Sequence, residues 1–436
     1  MIPQGILSFK LARAEDRLTS YGGMSFLGEF IAAIGLRQLI EENLPQPGSN
    51  RGYKPWEYTE AMIYMLVAGG SRLEDIRELR REEELLKAVG LRRLPSSDAM
   101  GLWLRRMGGL GGLQGLEKVM KEINQRIMRF EDRQEYTLDV DATEVVAEKQ
   151  EAAYTYKGNK GYMPVFGFLY ENSVCICDEF RNGNESPGAR QLEFYRRCKQ
   201  QMPNGKRIRY YRADSASYQS GLINELEADG VYFTITADMD SAVKETIRRI
   251  KESEWYEPYE GCGYEVAEAV HSMNRTEKAF RLIVKRQVIR QTELFECYSK
   301  YKYYAVASNF GGDKAAHEVL EFHNKRGQAE NYIKEIKEGF SIGRMPSSSN
   351  AANAVYMRIA VLAYNLFVGF KRIVFPVGWH KHRVSTFRWK VLVIAGRVVR
   401  HARQIVLKLA VGIRKLRLLE EIRRKIVLVQ EVLSSG

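Results

Sequence analysis

The chain is poor in sulfur chemistry. Its five cysteines, Cys175, Cys177, Cys198, Cys262 and Cys297, are odd in number and contain no Cys-x-x-Cys pair. Neither a disulfide framework nor a zinc site is suggested, and a reducing cytoplasm is the expected compartment. Histidine is scarce, with 6 in the whole chain, which argues against a zinc hydrolase. No run approaches about 18 uninterrupted apolar residues, and the start MIPQGILSFKLARAEDR lacks a long apolar core. A soluble, intracellular protein with no membrane partner and no signal peptide is therefore expected. No Gly-x-Gly-x-x-Gly follows the first candidate strand, so a dinucleotide-binding fold is not supported. Short-period repeats and low-complexity runs are absent as well.

What is present is a basic chain of 436 residues with a 45% hydrophobic content. That length suits two to four domains at about 150 residues each, and the composition suits a packed core. The net charge of +13 favours a polyanionic partner, nucleic acid ahead of an anionic membrane surface. The charge is uneven. Residues 371–436 hold 16 Lys and Arg against 3 Asp and Glu, which is the whole net charge. Trp379, Phe387 and Trp389 are interleaved with these cations. Such a mixture reads as a DNA-binding surface, with cations for phosphates and aromatics for packing or base contact. An amphipathic helix with a basic outer face is the alternative.

Residues 24–110 carry apolar side chains at helical spacing. Pro45 and Pro47 close the first stretch, Thr59 is a candidate cap, and Gly69-Gly70 breaks the second stretch. Ser96 or Ser97 caps a further helix ending in Arg105 and Arg106. A helix-turn-helix module and a plain helical bundle both fit. A linking helix over about 112–130 follows. The pattern then switches to strands at EYTLDVDATEVVA, YMPVFGFLY and SVCICDEFR, a helix at ARQLEFYRRCKQQM, a strand at RIRYYRADSA, a helix at QSGLINELEADG and a strand at VYFTITAD. Three strands, helix, strand, helix, strand is the order of a ribonuclease H-like fold, a mixed α/β sheet with helices on its faces. Residues 250–310 are β-rich and read as an antiparallel insertion. The expected organisation is a helical region for DNA binding or dimerisation at 1–130, the first part of the core at 131–250, the insertion at 251–312, the second part of the core at 313–370, and a basic DNA-binding region at 371–436.

Asp139 and Asp141 sit two apart on the first strand, so they share a face, with Leu138 and Val140 on the other. Aspartate is disfavoured in strands, and two in a buried-looking one require a cation or a basic partner. Asp214 ends another strand in the same way. Either aspartate alone reads as a turn or cap residue; both at corresponding strand ends read as metal ligands. In HNKRGQAENYIKEIKEGF, Arg326, Glu330 and Lys337 lie four and seven apart, on one side of a helix together with the apolar Ile333. Glu330 is thus the candidate third carboxylate, flanked by cations suited to phosphate. An exposed Arg326–Glu330 ion pair is the competing account.

At these residues the sequence resembles the DDE transposases of bacterial insertion sequences, in the branch called DDE transposase group 1. DVDATE is similar to the first-Asp motif and selects Asp141, with Thr143, over Asp139. YRADSASY is similar to the second-Asp motif and selects Asp214. His323, Arg326, Glu330 and Lys337 reproduce the spacing of the signature Tyr-(2)-Arg-(3)-Glu-(6)-Lys, with His in place of Tyr. The resemblance covers roughly residues 20 to 430, and the separation of 116 positions from Asp214 to Glu330 suits members that carry a β-rich insertion there.

The resemblance implies cut-and-paste transposition, with Asp141, Asp214 and Glu330 as catalytic residues holding two Mg²⁺ or Mn²⁺ ions. His323, Arg326 and Lys337 would bind DNA, and a hairpin intermediate is expected. Double-stranded DNA, as terminal inverted repeats and target, would be the partner of a homodimer on paired ends, in the cytoplasm at the bacterial nucleoid. Of the aromatics in the insertion, Trp255 is the candidate by type to stack on a flipped base, but packing in the core is the favoured reading for it. Two other readings are a ribonuclease H-like nuclease without strand transfer and a DNA-binding regulator with a silent catalytic fold.

Overall fold

The computed structural model describes residues 16–48, 52–289, 301–401 and 404–435; Cys297 lies outside them. The short strand β1 (Leu18–Thr19) leads into α1 (Met24–Ala33), α2 (Leu36–Asn43), α3 (Pro55–Ala68), α4 (Ile76–Arg81), α5 (Glu83–Ala88), α6 (Ser97–Gly109) and α7 (Gly112–Met128). Ser96 caps α6 as expected, its hydroxyl accepting from the Ala99 N–H at 3.2 Å. Thr59 is not a cap. It lies buried inside α3, and its hydroxyl donates to the Pro55 carbonyl at 3.0 Å. Pro55 at the first helical position starts α3, with the Glu57 carboxylate accepting from the Lys54 N–H at 2.7 Å. Gly69 ends the helix at φ +105°, a conformation other residues rarely adopt.

The strands that follow are β2 (Glu135–Ala142), β3 (Val145–Val146), β4 (Ala153–Tyr154), β5 (Lys160–Tyr162), β6 (Val165–Leu169) and β7 (Cys175–Glu179). Then come α8 (Gln191–Gln201), β8 (Arg207–Ala213), α9 (Ser220–Ala228), β9 (Tyr232–Thr236) and α10 (Ser241–Arg248). β10 (Glu265–His271), β11 (Phe280–Val288) and β12 (Tyr301–Ser308) form an antiparallel meander. The main sheet runs β10-β11-β12-β9-β8-β2-β6-β7. β2, β8 and β9 are parallel neighbours, and every other pair is antiparallel. The β-rich segment therefore continues the sheet through the β12–β9 ladder rather than forming a separate layer. β3, β5 and β4 make a small second sheet, which the sequence pattern did not reveal.

The last part comprises α11 (Ala316–Asn324), α12 (Gly327–Gly339), α13 (Asn350–Val374), α14 (Val384–Phe387), β13 (Gly396–His401), β14 (Gln404–Leu409) and α15 (Ile413–Ser434). The stretch from His323 to Phe340 is thus two helices, not one. At the junction the N–H groups of Arg326, Gln328 and Ala329 bond to carbonyls three residues back, which tightens the turn beside Gly327. α13 is long and apolar enough to cross a membrane, yet 94% of its apolar window is buried inside the protein. It packs on α3, α6 and α7 and is the shared core of the N-terminal helices. Its buried polar groups find partners on β7. Arg358 pairs with Asp178 at 2.7 Å, and the Asn365 amide donates to the Cys175 carbonyl at 2.7 Å.

The first and last described elements meet. β1 pairs with β13, and α15 lies on α1 with Leu419, Ile422, Ile426 and Val429 buried. Part of the basic C-terminal stretch is structural. Phe387 is buried among Phe367, Phe375 and Trp379, so it is a core residue and not a base contact. The Arg388 guanidinium donates to the Leu66 and Val67 carbonyls of α3 and to Gly339 of α12, neutralising two helix C-termini. Lys381, Arg383, Trp389 and Lys390 remain exposed.

Candidate active site

The parallel pairing of β2 and β8 builds the centre of the site. In that ladder Asp139 stands opposite Arg212 and Val140 opposite Ala213. Asp141 and Asp214 are the next residue on each strand, so they lie side by side where both strands end. The two strands carry matched pairs two residues apart: Asp139 and Asp141 on one, Arg212 and Asp214 on the other. The inner pair closes on itself. The Arg212 guanidinium grips the Asp139 carboxylate with bonds of 2.7 and 2.8 Å, both residues are buried, and a third donor reaches the Phe322 carbonyl of α11. Burial holds the Asp139 carboxyl up at about 6 in spite of Arg212. Asp139 therefore has a basic partner, and the second aspartate of the motif is left for chemistry.

The outer pair has no such partner. Burial pushes the Asp141 carboxyl up to about 7, and the charges of Asp214 and Glu330 add to this while Arg326 opposes it. Burial also raises Asp214, with the Ala216 N–H and Arg326 lowering it and Asp238 raising it. The Asp214 carboxylate accepts from the Ala216 N–H at 3.0 Å, which fixes it at the start of the turn that follows β8. α12 crosses β2 and β6 and sets Glu330 across from Asp141. Asp141, Thr143, Glu330, Ile333 and Lys337 line one open cleft of about 400 Å³. Asp214 is joined to this group by charge and register, although it does not line the cleft.

The cations divide in their roles. Arg326 makes no side-chain hydrogen bond or ion pair among the described residues, but its charge acts on Asp139, Asp141 and Asp214. Lys337 is half-buried and donates to the Glu144 carbonyl at 2.8 Å and the Thr143 hydroxyl at 3.4 Å. It braces the chain just beyond Asp141, and burial lowers its pKa.

His323, expected to bind DNA, points inward. It is fully buried, with Nε2 bonded to the Tyr304 and Thr236 hydroxyls at 2.9 and 3.1 Å and Nδ1 to Thr234 at 3.0 Å. Burial first, then Arg326, depresses its pKa to about 3, so the ring is neutral. Its place in the signature spacing is that of a rivet between α11, β9 and β12. Trp255 is half-buried, with the Arg286 guanidinium over its ring at 4.2 Å and Tyr303 beside it. That face of the indole is occupied by packing.

Two residues escaped the sequence reading. Arg212 was visible in YYRADSASY as the cation two before Asp214, mirroring the Asp139–Asp141 spacing. Asp238 is an exposed carboxylate just past β9, and its Ala-Asp ending repeats that of β8.

The donors suit hard divalent cations, since they are carboxylate oxygens with neither nitrogen nor sulfur. Among the described residues, no three His, Cys, Asp or Glu side chains converge on one ion position. Glu330 is exposed and makes no side-chain hydrogen bond or ion pair among the described residues. A cation between Glu330 and Asp141 would offset the burial and the Asp214 and Glu330 charges that raise Asp141.

No curated protein sequence matches the chain. A solved piggyBac transposase synaptic complex with hairpin DNA is similar at 12% identity with a TM-score of 0.43, over 95% of this chain and 82% of that one. The family model described as transposase DDE domain group 1 matches residues 8–430, nearly the whole length, and the chain belongs to that family.

Proposed function

We propose that the chain cuts DNA at the terminal inverted repeats of an insertion sequence and joins the freed ends to target DNA, on a ribonuclease H-like core. One observation carries this reading. The β2–β8 register sets Asp141 beside Asp214, and the charges of Asp214 and Glu330 both bear on Asp141. Asp141, Asp214 and Glu330 would hold two Mg²⁺ or Mn²⁺ ions. When bound, such ions stabilise the attacking and leaving oxygens of an in-line phosphoryl transfer.

The chain's own residues do the rest. Asp139 and Arg212 hold β2 and β8 in register. Lys337 fixes the Thr143–Glu144 turn that forms one lip of the cleft. Arg326 supplies positive charge beside the carboxylates, where a scissile phosphate would otherwise be repelled. Exposed Lys381, Arg383 and Lys390 would follow the flanking phosphates. Two copies on paired ends complete the proposal.

The test is to incubate the protein and Mg²⁺ with DNA flanking its own gene and to map the 3′ ends. Nicks at the repeat ends are expected with wild type. Asp141→Ala, Asp214→Ala and Glu330→Ala should each bind the ends and leave them intact. Wild-type cleavage by any of the three would remove that residue from the site. A strand-transfer assay on pre-cut ends separates a transposase from a plain nuclease. Absence of metal-dependent nicking would leave a DNA-binding regulator.

A further inference from the structure

A second cavity, of about 530 Å³, lies between the β4–β5 hairpin and the loop after β7. This size is within the roughly 300–1,000 Å³ typical of small-ligand sites. One wall is Tyr154, Thr155 and Tyr156; the other includes Asn184, Glu185 and Ser186. The tyrosines are 70% and 69% exposed. Among the described residues the Tyr154 ring stacks on no other aromatic or cation, while Lys157 approaches the Tyr156 ring at 5.6 Å. Two aromatic faces thus stand in water on one wall, with Lys157 beside one of them.

The walls are locked together. The Asn182 side chain accepts from the Ala153 N–H at 2.8 Å and donates to the Glu151 carbonyl at 3.0 Å. A Cβ at Gly183 would lie 2.2 Å from the Ala153 carbonyl oxygen, so only glycine lets the loop and the strand approach this closely. Asn184 makes no side-chain hydrogen bond among the described residues, which leaves its amide to pair with a ligand edge.

The cavity is also wired to the cleft. The Thr155 hydroxyl donates to the Glu144 carboxylate, and the Glu144 carbonyl accepts from Lys337, which lines the cleft with Asp141 and Glu330. We propose that Tyr154, Tyr156 and Asn184 form a subsite for an unpaired nucleobase of the DNA strand that lies in the cleft. The aromatic faces supply stacking, the amide reads the base edge, and Lys157 meets the adjoining phosphate. This rests on the reading that DNA is the substrate.

The test uses the full chain with two fluorescent probes: an oligo-dT 15-mer and a blunt duplex of the same length. The Tyr154→Ala/Tyr156→Ala double variant should lose about tenfold or more in affinity for the 15-mer and less than about twofold for the duplex. Tyr154→Phe/Tyr156→Phe, which keeps both faces, should bind both like wild type. Equal affinity of the Ala variant and wild type for the 15-mer would overturn the subsite. So would an equal loss on both probes. A change in sedimentation with unchanged DNA binding would assign the tyrosines to contact with a second copy instead. Cleavage by wild type and its loss in Asp141→Ala are scored separately. If the 15-mer result holds without cleavage, the transposase reading fails and the subsite stands; if cleavage holds while the tyrosine variants bind normally, only the subsite fails.

Discussion

Burial and the neighbouring charges of Asp214 and Glu330 push the Asp141 carboxyl up to about 7. Its unfolded value is about 3.9, so the folded state binds this proton more tightly. Stability contributed here is therefore lost as pH rises from about 4 to about 7. Asp141→Asn should be more stable than wild type above pH 7, by on the order of 2 kcal/mol after screening, and equal to it below pH 4. Thermal melts across that range check this, and a variant no more stable at pH 8 would contradict the shift. His323 works in the opposite sense. Its pKa of about 3 lies below the unfolded value of about 6.5, so the stability it contributes is present above pH 6.5 and lost as pH falls toward 3. Against wild type, His323→Gln should flatten that part of the profile. It should also lower stability by about 2–4 kcal/mol, because the Thr234, Thr236 and Tyr304 hydroxyls lose their shared partner. The salt dependence of DNA binding should not move, since the ring touches no solvent; a changed slope would return His323 to the DNA-facing set.

Among the secondary elements, two arginines hold the site's frame. Arg212 ties β2, β8 and α11 together through Asp139 and Phe322. Arg212→Met leaves a buried carboxylate without its cation and should cost about 3–5 kcal/mol, while Asp139→Leu/Arg212→Met should recover most of that. A double variant as unstable as the single one would show that the Phe322 contact dominates. Arg388→Ala frees carbonyls at the ends of α3 and α12 and should cost about 2–3 kcal/mol, read by urea denaturation. β2, β6, β7, α8, β8, α9 and β9 were legible because their alternation and turn residues agree, while Asp141, Asp214 and Glu330 were singled out by motif and spacing. The break at Arg326 was not, since both flanking segments keep helical spacing and only hydrogen bonds three residues back reveal it. β3, β4 and β5 are two or three residues long, too short for any period to show. The burial of His323 and Arg388 escaped notice because their partners lie far away in sequence, up to 322 residues for Arg388 and Leu66.

For the molecule as a whole, the positive charge is concentrated where the chain also closes on itself. The C-terminal cations thus fall into structural and exposed sets, which predict different outcomes. Lys381→Ala, Arg383→Ala and Lys390→Ala together should leave Tm within a degree or two. They should flatten the slope of log affinity against log salt by up to about three units; an unchanged slope would remove this face from the DNA path. Removing residues 413–434 should instead destabilise the N-terminal helices, because α15 covers α1. A truncated chain with wild-type Tm would show that the closure is dispensable.

The same closure sets a timetable for synthesis. α3, α6 and α7 bury their apolar faces against α13, which ends at residue 374. At about 5–20 residues per second, those faces wait on the order of tens of seconds for their partner to leave the ribosome. During that time the nascent chain shows a sticky, half-built bundle, and the sheet with its carboxylates still lacks α12 and Glu330. On the proposed reading, the cleft is completed only after residue 339 has been made.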